Sequence, residues 1–188
     1  MIPAKYDHTN LPGRQRKNIK LALSGNHPEW TDAFNRAADM LGTGMIVSML
    51  GDRGTGKTQL AICLCRELHQ RKKTFRYVTA YEMFSSIKET YRDDSQISED
   101  VVMRYLINPE LLVIDELNEA NRTTWEGHVL THLVDIRYQK ERDTLLVSNY
   151  RRDQFDDAVG DSIVSRIEET GGYIECRWGS FRKPKRKE

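Results

Sequence analysis

Three cysteines in a chain of 188 residues cannot build a disulfide framework. Cys63 and Cys65 fall two apart in a helical pattern and so point to different sides, and Cys176 stands alone near the end; no zinc spacing results. All three read as reduced packing residues. No apolar run is long enough to cross a bilayer, and the polar start Met1-Ile-Pro-Ala-Lys-Tyr-Asp-His is not a signal peptide, so a cytoplasmic location without membrane attachment is expected. Charge of one sign is also missing: 29 Lys and Arg face 28 Asp and Glu, for a net charge of +1. Overall charge therefore names no polyanionic partner, and any nucleic-acid signal has to be local. No internal repeat is detectable. The length suits one domain with a core that needs no staples, and a second full domain does not fit.

Against these absences stands one dense motif, Gly51-Asp52-Arg53-Gly54-Thr55-Gly56-Lys57-Thr58, which fits G-x-x-x-x-G-K-[ST] at every fixed position. Its glycines let the backbone turn tightly enough to aim several N–H groups at one phosphate chain. Lys57 then reaches the β and γ phosphates, Thr58 offers a hydroxyl to Mg²⁺, and the following helix presents its positive dipole end to the anion. Context supports the motif: Met45-Ile-Val-Ser-Met-Leu50 before it reads as an apolar strand, and Leu60, Ala61, Leu64, Cys65 and Leu68 after it recur at helical spacing. Gly51 through Gln59 form the expected ATP-binding set.

Two later strand ends complete a reaction site. Leu111-Leu-Val-Ile-Asp115-Glu116 has the unbroken apolar run of a central parallel strand. Ligands bind at the carboxyl edge of such a sheet, where Asp115 can join the Mg²⁺ shell opposite Thr58 and Glu116 can orient a water toward the γ phosphate. Asp143-Thr-Leu-Leu-Val-Ser148 is a second buried strand, and Asn149 at its tip can hydrogen-bond both that water and a γ-phosphate oxygen. Paired acids suit hydrolysis better than the rival P-loop kinase, and no [NT]-K-x-D sequence supports a GTPase.

The flanks are less specific. Residues 1–27 form a basic arm with Lys5, Arg14, Arg16, Lys17 and Lys20, and Lys183 to Glu188 form a basic tail. Trp30, Phe34, Ala37, Ala38 and Leu41 mark one face of a helix stopped by Gly42 and Gly44. Lys73 to Thr79 reads as a strand, and helices are expected at Glu82 to Tyr91 and Ser98 to Leu106. Tyr81, Lys88, Arg92 and Arg104 in this insert are candidate contacts to single-stranded DNA, and they serve equally well as an ordinary charged helix surface. Residues 122–140 form a long helix with Trp125, Val129, Leu133 and Ile136 on one face; its His128 and His132 lack a third metal ligand. Alternating strands and helices give an α/β P-loop NTPase sandwich with a largely parallel sheet of about five strands.

Taken together, these blocks resemble the AAA+ ATPases, within them the branch of helicase loader DnaC and transposition ATPase IstB. Gly51 to Thr58 is similar to its Walker A segment, Leu111 to Glu116 to Walker B, and Thr144 to Asn149 to sensor 1, with Arg137-Tyr138 in the helix before it. Ser165-Arg166-Ile167 resembles the segment whose arginine is supplied to a neighbouring subunit's ATP, and Ser180-Phe181-Arg182, after Trp178, resembles the sensor 2 segment. The resemblance implies ATP hydrolysis involving Lys57, Glu116, Asn149, Arg166 and Arg182, with Thr58 and Asp115 at the metal. It also implies self-association into about six subunits, with a replicative helicase and single-stranded DNA as partners. An IstB-like role on duplex DNA with a transposase is the alternative, and a switch that holds ATP and hydrolyses it slowly is another. The expected division is an arm over 1–27, the AAA+ domain over 28–182 and a tail over 183–188. Family loaders carry a helicase-gripping N-terminal domain, so contact through other surfaces or a partner chain is expected here.

Overall fold

The computed structural model describes residues 11–12, 27–117 and 123–182. The elements run α1 (Pro28–Met40), β1 (Ile46–Gly51), α2 (Lys57–Gln70), β2 (Phe75–Thr79), α3 (Ala80–Glu89) and α4 (Glu99–Ile107). They continue with β3 (Leu111–Asp115), α5 (Thr124–Gln139), β4 (Asp143–Val147), α6 (Arg152–Val159), α7 (Asp161–Thr170) and β5 (Gly172–Cys176). The five strands pair in the order β2-β3-β4-β1-β5, every pair parallel.

Helices cover both faces of this sheet, which explains the continuous apolar strands. In β1, Val47 and Met49 enter the core shared with α1 and α2, while Ile46 and Leu50 enter the core on the opposite face. In β3, Leu111 and Val113 divide from Leu112 and Ile114 in the same way. Alternation every second residue, with both faces covered, leaves few positions for a polar side chain within the strands, Ser48, Arg76 and Thr144 being buried exceptions. Between β1 and β4 the topology switches: the chain leaves β1 toward β2, and leaves β4 toward β5 beyond β1. That switch opens a crevice at the carboxyl edge, so the residues following β1, β3 and β4 are gathered there.

Local chemistry sets the helix ends. Thr79 with Glu82 and Thr123 with Glu126 form reciprocal capping boxes at α3 and α5. Asp143, at the start of β4, accepts the backbone N–H groups of Gly42, Gly44 and Met45 and so fixes the turn entering β1.

The strands and most helices match the sequence pattern, with four corrections. Strand β2 begins at Phe75, two residues later than expected from Lys73, and α3 begins at Ala80, so Tyr81 is helical. The inward stripe of α5 is Glu126, Leu130, Leu133, Val134 and Arg137; Trp125, Val129 and Ile136 lie at its margin. Helix α6 was not anticipated, although Phe155 and Val159 one turn apart, followed by Gly160, carry its signal. Among the described residues Leu11 packs against the α1–α2 core, while residues 1–10 and 13–26 of the basic arm and the tail after Arg182 lie outside them.

Candidate nucleotide site

The loop between β1 and α2 is built as its glycines require. Gly51 has φ 135°, and a Cβ there would lie 2.4 Å from the carbonyl oxygen of Cys176 on the neighbouring strand. Gly54 has φ 91°, and a Cβ there would lie 2.1 Å from Ser180 Oγ. Neither place admits a side chain. Lys57 is 5 % exposed and donates from Nζ to Gly51 O at 2.7 Å and Asp52 O at 2.8 Å. Burial holds its pKa below the usual lysine value, opposed by Cys176, Asp115 and Asp52 and reinforced by the charge of Arg182. Arg53 is exposed, and Gln59 turns its amide toward Cys63 Sγ at 3.9 Å.

The outer side of the loop is held by both ends of the described chain. Three successive carbonyls receive donors: Phe181 N to Gly54 O at 2.9 Å, Trp178 Nε1 to Thr55 O at 2.8 Å, and Trp30 Nε1 to Gly56 O at 3.3 Å. Thr55 is fully buried beneath this strap. The strap follows β5, whose Cys176 pairs with Gly51. It ends at Arg182, whose N–H bonds Ser180 Oγ at 3.2 Å. The rings of His27 and Phe181 lie 4.4 Å apart over this corner. Beside the loop, a groove of about 860 Å³ opens between Gly51, Asp52, Tyr150, Arg151, Glu175 and Arg177.

Across the crevice, Asp115 ends β3 and is 3 % exposed. Its Oδ2 accepts Thr58 Oγ1 at 2.8 Å and Tyr77 OH at 2.7 Å, and its Oδ1 accepts the N–H of Glu116 at 2.7 Å. The two residues expected at a metal therefore meet directly. They offer two hard oxygens and, among the described residues, the carboxylate has no cationic side chain within ion-pair distance, a donor set that fits Mg²⁺. No cluster of three or more His, Cys, Asp or Glu that could hold a metal ion occurs among the described residues. Glu116 is exposed and takes φ 60°, a left-handed backbone costly for a side chain, so the chain turns sharply there and Leu117 N reaches Val147 O at 3.1 Å. Asn149 follows β4, the strand between β3 and β1, half-buried and next to both strand ends.

Arg166 is the one expected site residue set apart from this edge. Its helix α7 ends where Thr170 Oγ1 accepts Ile46 N at 3.0 Å, at the start of β1 and thus the edge opposite the loop. Its guanidinium donates to Ser162 Oγ at 2.7 Å, approaches Asp135 Oδ1 at 3.0 Å without an aligned hydrogen bond, and lies over the Tyr138 ring; Nε has no partner. In the α3–α4 insert, Tyr81 is 77 % exposed and Arg92 is exposed, whereas Lys88 pairs with Glu126 at 3.2 Å and Arg104 with Asp100 at 2.7 Å. His128 and His132 are both exposed.

Three contacts at the site had no sequence reading: Tyr77 at Asp115, and the indoles of Trp30 and Trp178 at the loop. Tyr77 is an inward strand residue by alternation, and Trp178 directly precedes the Ser-Phe-Arg segment, so each stood near a signal without being one.

A family model for IstB-like ATP binding proteins matches residues 36–188. The chain belongs to that family. It is 30% identical over 133 residues to the replicative helicase loader DnaC of Escherichia coli K12, covering 70% of this chain and 54% of the relative. The IstB-like chain thus spans about half the length of the curated relatives it matches. The crystal structure of the DnaC helicase loader superposes with a TM-score of 0.70 at 18% identity, over 85% of this chain and 98% of that one. Replication initiator DnaA bound to AMPPCP and single-stranded DNA superposes with a TM-score of 0.66 at 22% identity, over 88% of this chain and 50% of that one. The fold is that of the AAA+ P-loop NTPases, as the resemblance implied. No described helix is long and apolar enough to cross a membrane.

Proposed function

We propose that this IstB-like protein is an ATPase, converting ATP and water to ADP and phosphate, and that it helps place a replicative helicase on single-stranded DNA. The meeting of Thr58 and Asp115 at 2.8 Å across the crevice carries the hydrolytic reading, because it sets metal-binding oxygens beside a phosphate loop. The similarity to DnaC over 133 residues supports the loader role.

In this reading the loop residues Gly51 to Thr58 cradle the phosphates and Lys57 neutralises the β and γ oxygens. Thr58 and Asp115 hold Mg²⁺, which when bound supplies charge neutralisation at the phosphates. Glu116 orients the attacking water from its turned position after β3, and Asn149 contacts the γ phosphate. Arg182, brought to the loop by the strap, acts within the chain. Arg166 lies apart from the loop on α7, and in this reading it serves a neighbour's site in an assembly of about six subunits. Tyr81 and Arg92 are the more available of the four candidate DNA contacts, since Lys88 and Arg104 already have carboxylate partners. The AAA+ domain is assigned to 28–182, flanked by the basic arm and tail.

Glu116→Gln and Arg166→Ala should each lose roughly a hundredfold or more in turnover under assembling conditions. Because the two lesions fall in different halves of a shared site, mixing the inactive variants should restore part of the activity. Full activity in both variants would overturn the residue roles. Failure to co-purify with a replicative helicase in either ATP or ADP would remove the loader role and leave the ATPase. The IstB-type family match favours a second reading, action on duplex DNA with a transposase. A preference for duplex over single-stranded DNA, measured across a salt series, would select it.

A further inference from the structure

Tyr77 lies in β2, paired in register with Val113 of β3, two residues before the Thr79–Asp115 pair. Its ring is packed into the α1–α2 core and is 9 % exposed, yet its hydroxyl reaches Asp115 Oδ2 at 2.7 Å. The same oxygen accepts Thr58 Oγ1 at 2.8 Å, and the other accepts Glu116 N at 2.7 Å. A phenol is a donor at neutral pH, and a carboxylate oxygen has about two lone-pair sites, so Oδ2 is filled by Tyr77 and Thr58 together. The backbone donor pins Oδ1. Three donors, from β2, from α2 and from the turn after β3, therefore fix both the rotation and the tilt of this carboxylate. Partners of this kind set the orientation of a metal-binding group and tune its affinity.

We propose that Tyr77 is a positioning residue for the metal shell: its hydroxyl locks the Asp115 carboxylate in the orientation in which Asp115 and Thr58 together receive a phosphate-bound divalent cation. This rests on the assignment of Thr58 and Asp115 to Mg²⁺ made above. Tyr77 touches neither nucleotide nor cation; it acts through Asp115. Its place in β2 leaves the alternative that it is only a core residue, and the two roles separate experimentally.

The test is a Mg²⁺ titration, starting from EDTA, of mant-ADP binding to the full chain. In Tyr77→Phe the half-saturating Mg²⁺ concentration should rise about tenfold, the lower bound for losing such a partner, while metal-free mant-ADP affinity stays within about twofold of wild type. Tyr77→Leu, which lacks the ring as well, should give the same shift and serves if the phenylalanine variant does not fold. In an Asp115→Asn background the Tyr77→Phe effect should disappear. An unchanged Mg²⁺ requirement in Tyr77→Phe, beside a raised one in Thr58→Ala, overturns the proposal and leaves the site assignment standing. An unchanged requirement in Thr58→Ala as well overturns the metal assignment itself. Equal weakening of metal-free and metal-dependent binding, or persistence of the effect without Asp115's charge, reduces Tyr77 to a packing residue.

Discussion

Replacing Arg137 with methionine should cost more stability than any surface arginine change. Arg137 is fully buried in the last turn of α5, where its Nη1 donates to Leu106 O at 2.9 Å, Ile107 O at 2.8 Å and Pro109 O at 3.0 Å. Its Nε donates to Thr144 Oγ1 at 2.9 Å, and Nη2 to the carbonyl of Asp143. One guanidinium thus satisfies the closing carbonyls of α4 and ties them to the first residues of β4. Burial pushes its pKa down to about 9, with the Asp143 charge opposing, so it remains protonated at neutral pH. Methionine fills much of the volume but leaves these acceptors without a donor. Each stranded buried acceptor costs about 1–3 kcal/mol, offset by partial rehydration near α4 and by no longer burying a cation. The net expectation is about 3–5 kcal/mol, the range seen when one side of a buried charged network is removed. At about 2–4 °C per kcal/mol for a chain of this size, the melting midpoint should fall by about 6–20 °C. Arg137→Lys, with three donors in place of a planar fork, should lose less but still about 2 kcal/mol. Urea denaturation with circular dichroism measures both. A loss under about 1 kcal/mol for Arg137→Met would refute the claim that this network holds α4 to the sheet.

Two further outcomes follow from contacts already described. Trp178→Phe keeps an aromatic ring but strands the buried Thr55 carbonyl; if that cost falls on the loop, ADP affinity should weaken by roughly 5- to 30-fold, and a change under twofold by calorimetry would count against the strap as a loop support. Glu110 is held below the usual carboxylate range first by the Lys73 ammonium at 2.7 Å and next by the Thr74 N–H at 2.8 Å. An acid whose folded pKa is depressed adds stability above its unfolded value and loses it as pH falls through the folded one. Glu110→Gln should therefore be less stable than wild type at about pH 7, with the gap closing by about pH 3. A urea midpoint difference that is the same at both pH values would contradict that sign.

What was legible in the sequence was what depends on one segment at a time. The loop from Gly51 to Thr58, the buried runs ending at Asp115 and Ser148, and the helix after Lys57 all follow from spacing and residue type. Less legible was whatever depends on which segments become neighbours. An arginine near a helix end is a surface residue by default, and nothing in α5 announces that Arg137 will face the end of α4 and the start of β4. The burial of Glu126 and Arg137 also shifted the inward face of α5 away from the one its apolar residues suggested. Tyr77 meets Asp115 only because β2 lies beside β3, and Trp30 reaches the loop only because α1 packs against α2 and β5 on the same face of the sheet. The separation of Arg166 from Arg182 is likewise a matter of topology: one lies on α7 before β5, and the other lies on the strap that β5 delivers to the loop.

The strap gives the molecule a built-in optical probe. Of the three tryptophans in the chain, two bond consecutive carbonyls of the phosphate loop through their indole N–H groups. The third, Trp125, lies in α5 between Lys88 and the rings of Phe84 and Tyr91. Any rearrangement of the loop changes the surroundings of the first two fluorophores, and the third can be removed to leave only the loop's signal. Loop occupancy can therefore be followed in the unlabelled protein. The same geometry means that substitutions at His27 or Phe181, whose rings meet over this corner, would perturb what is being measured.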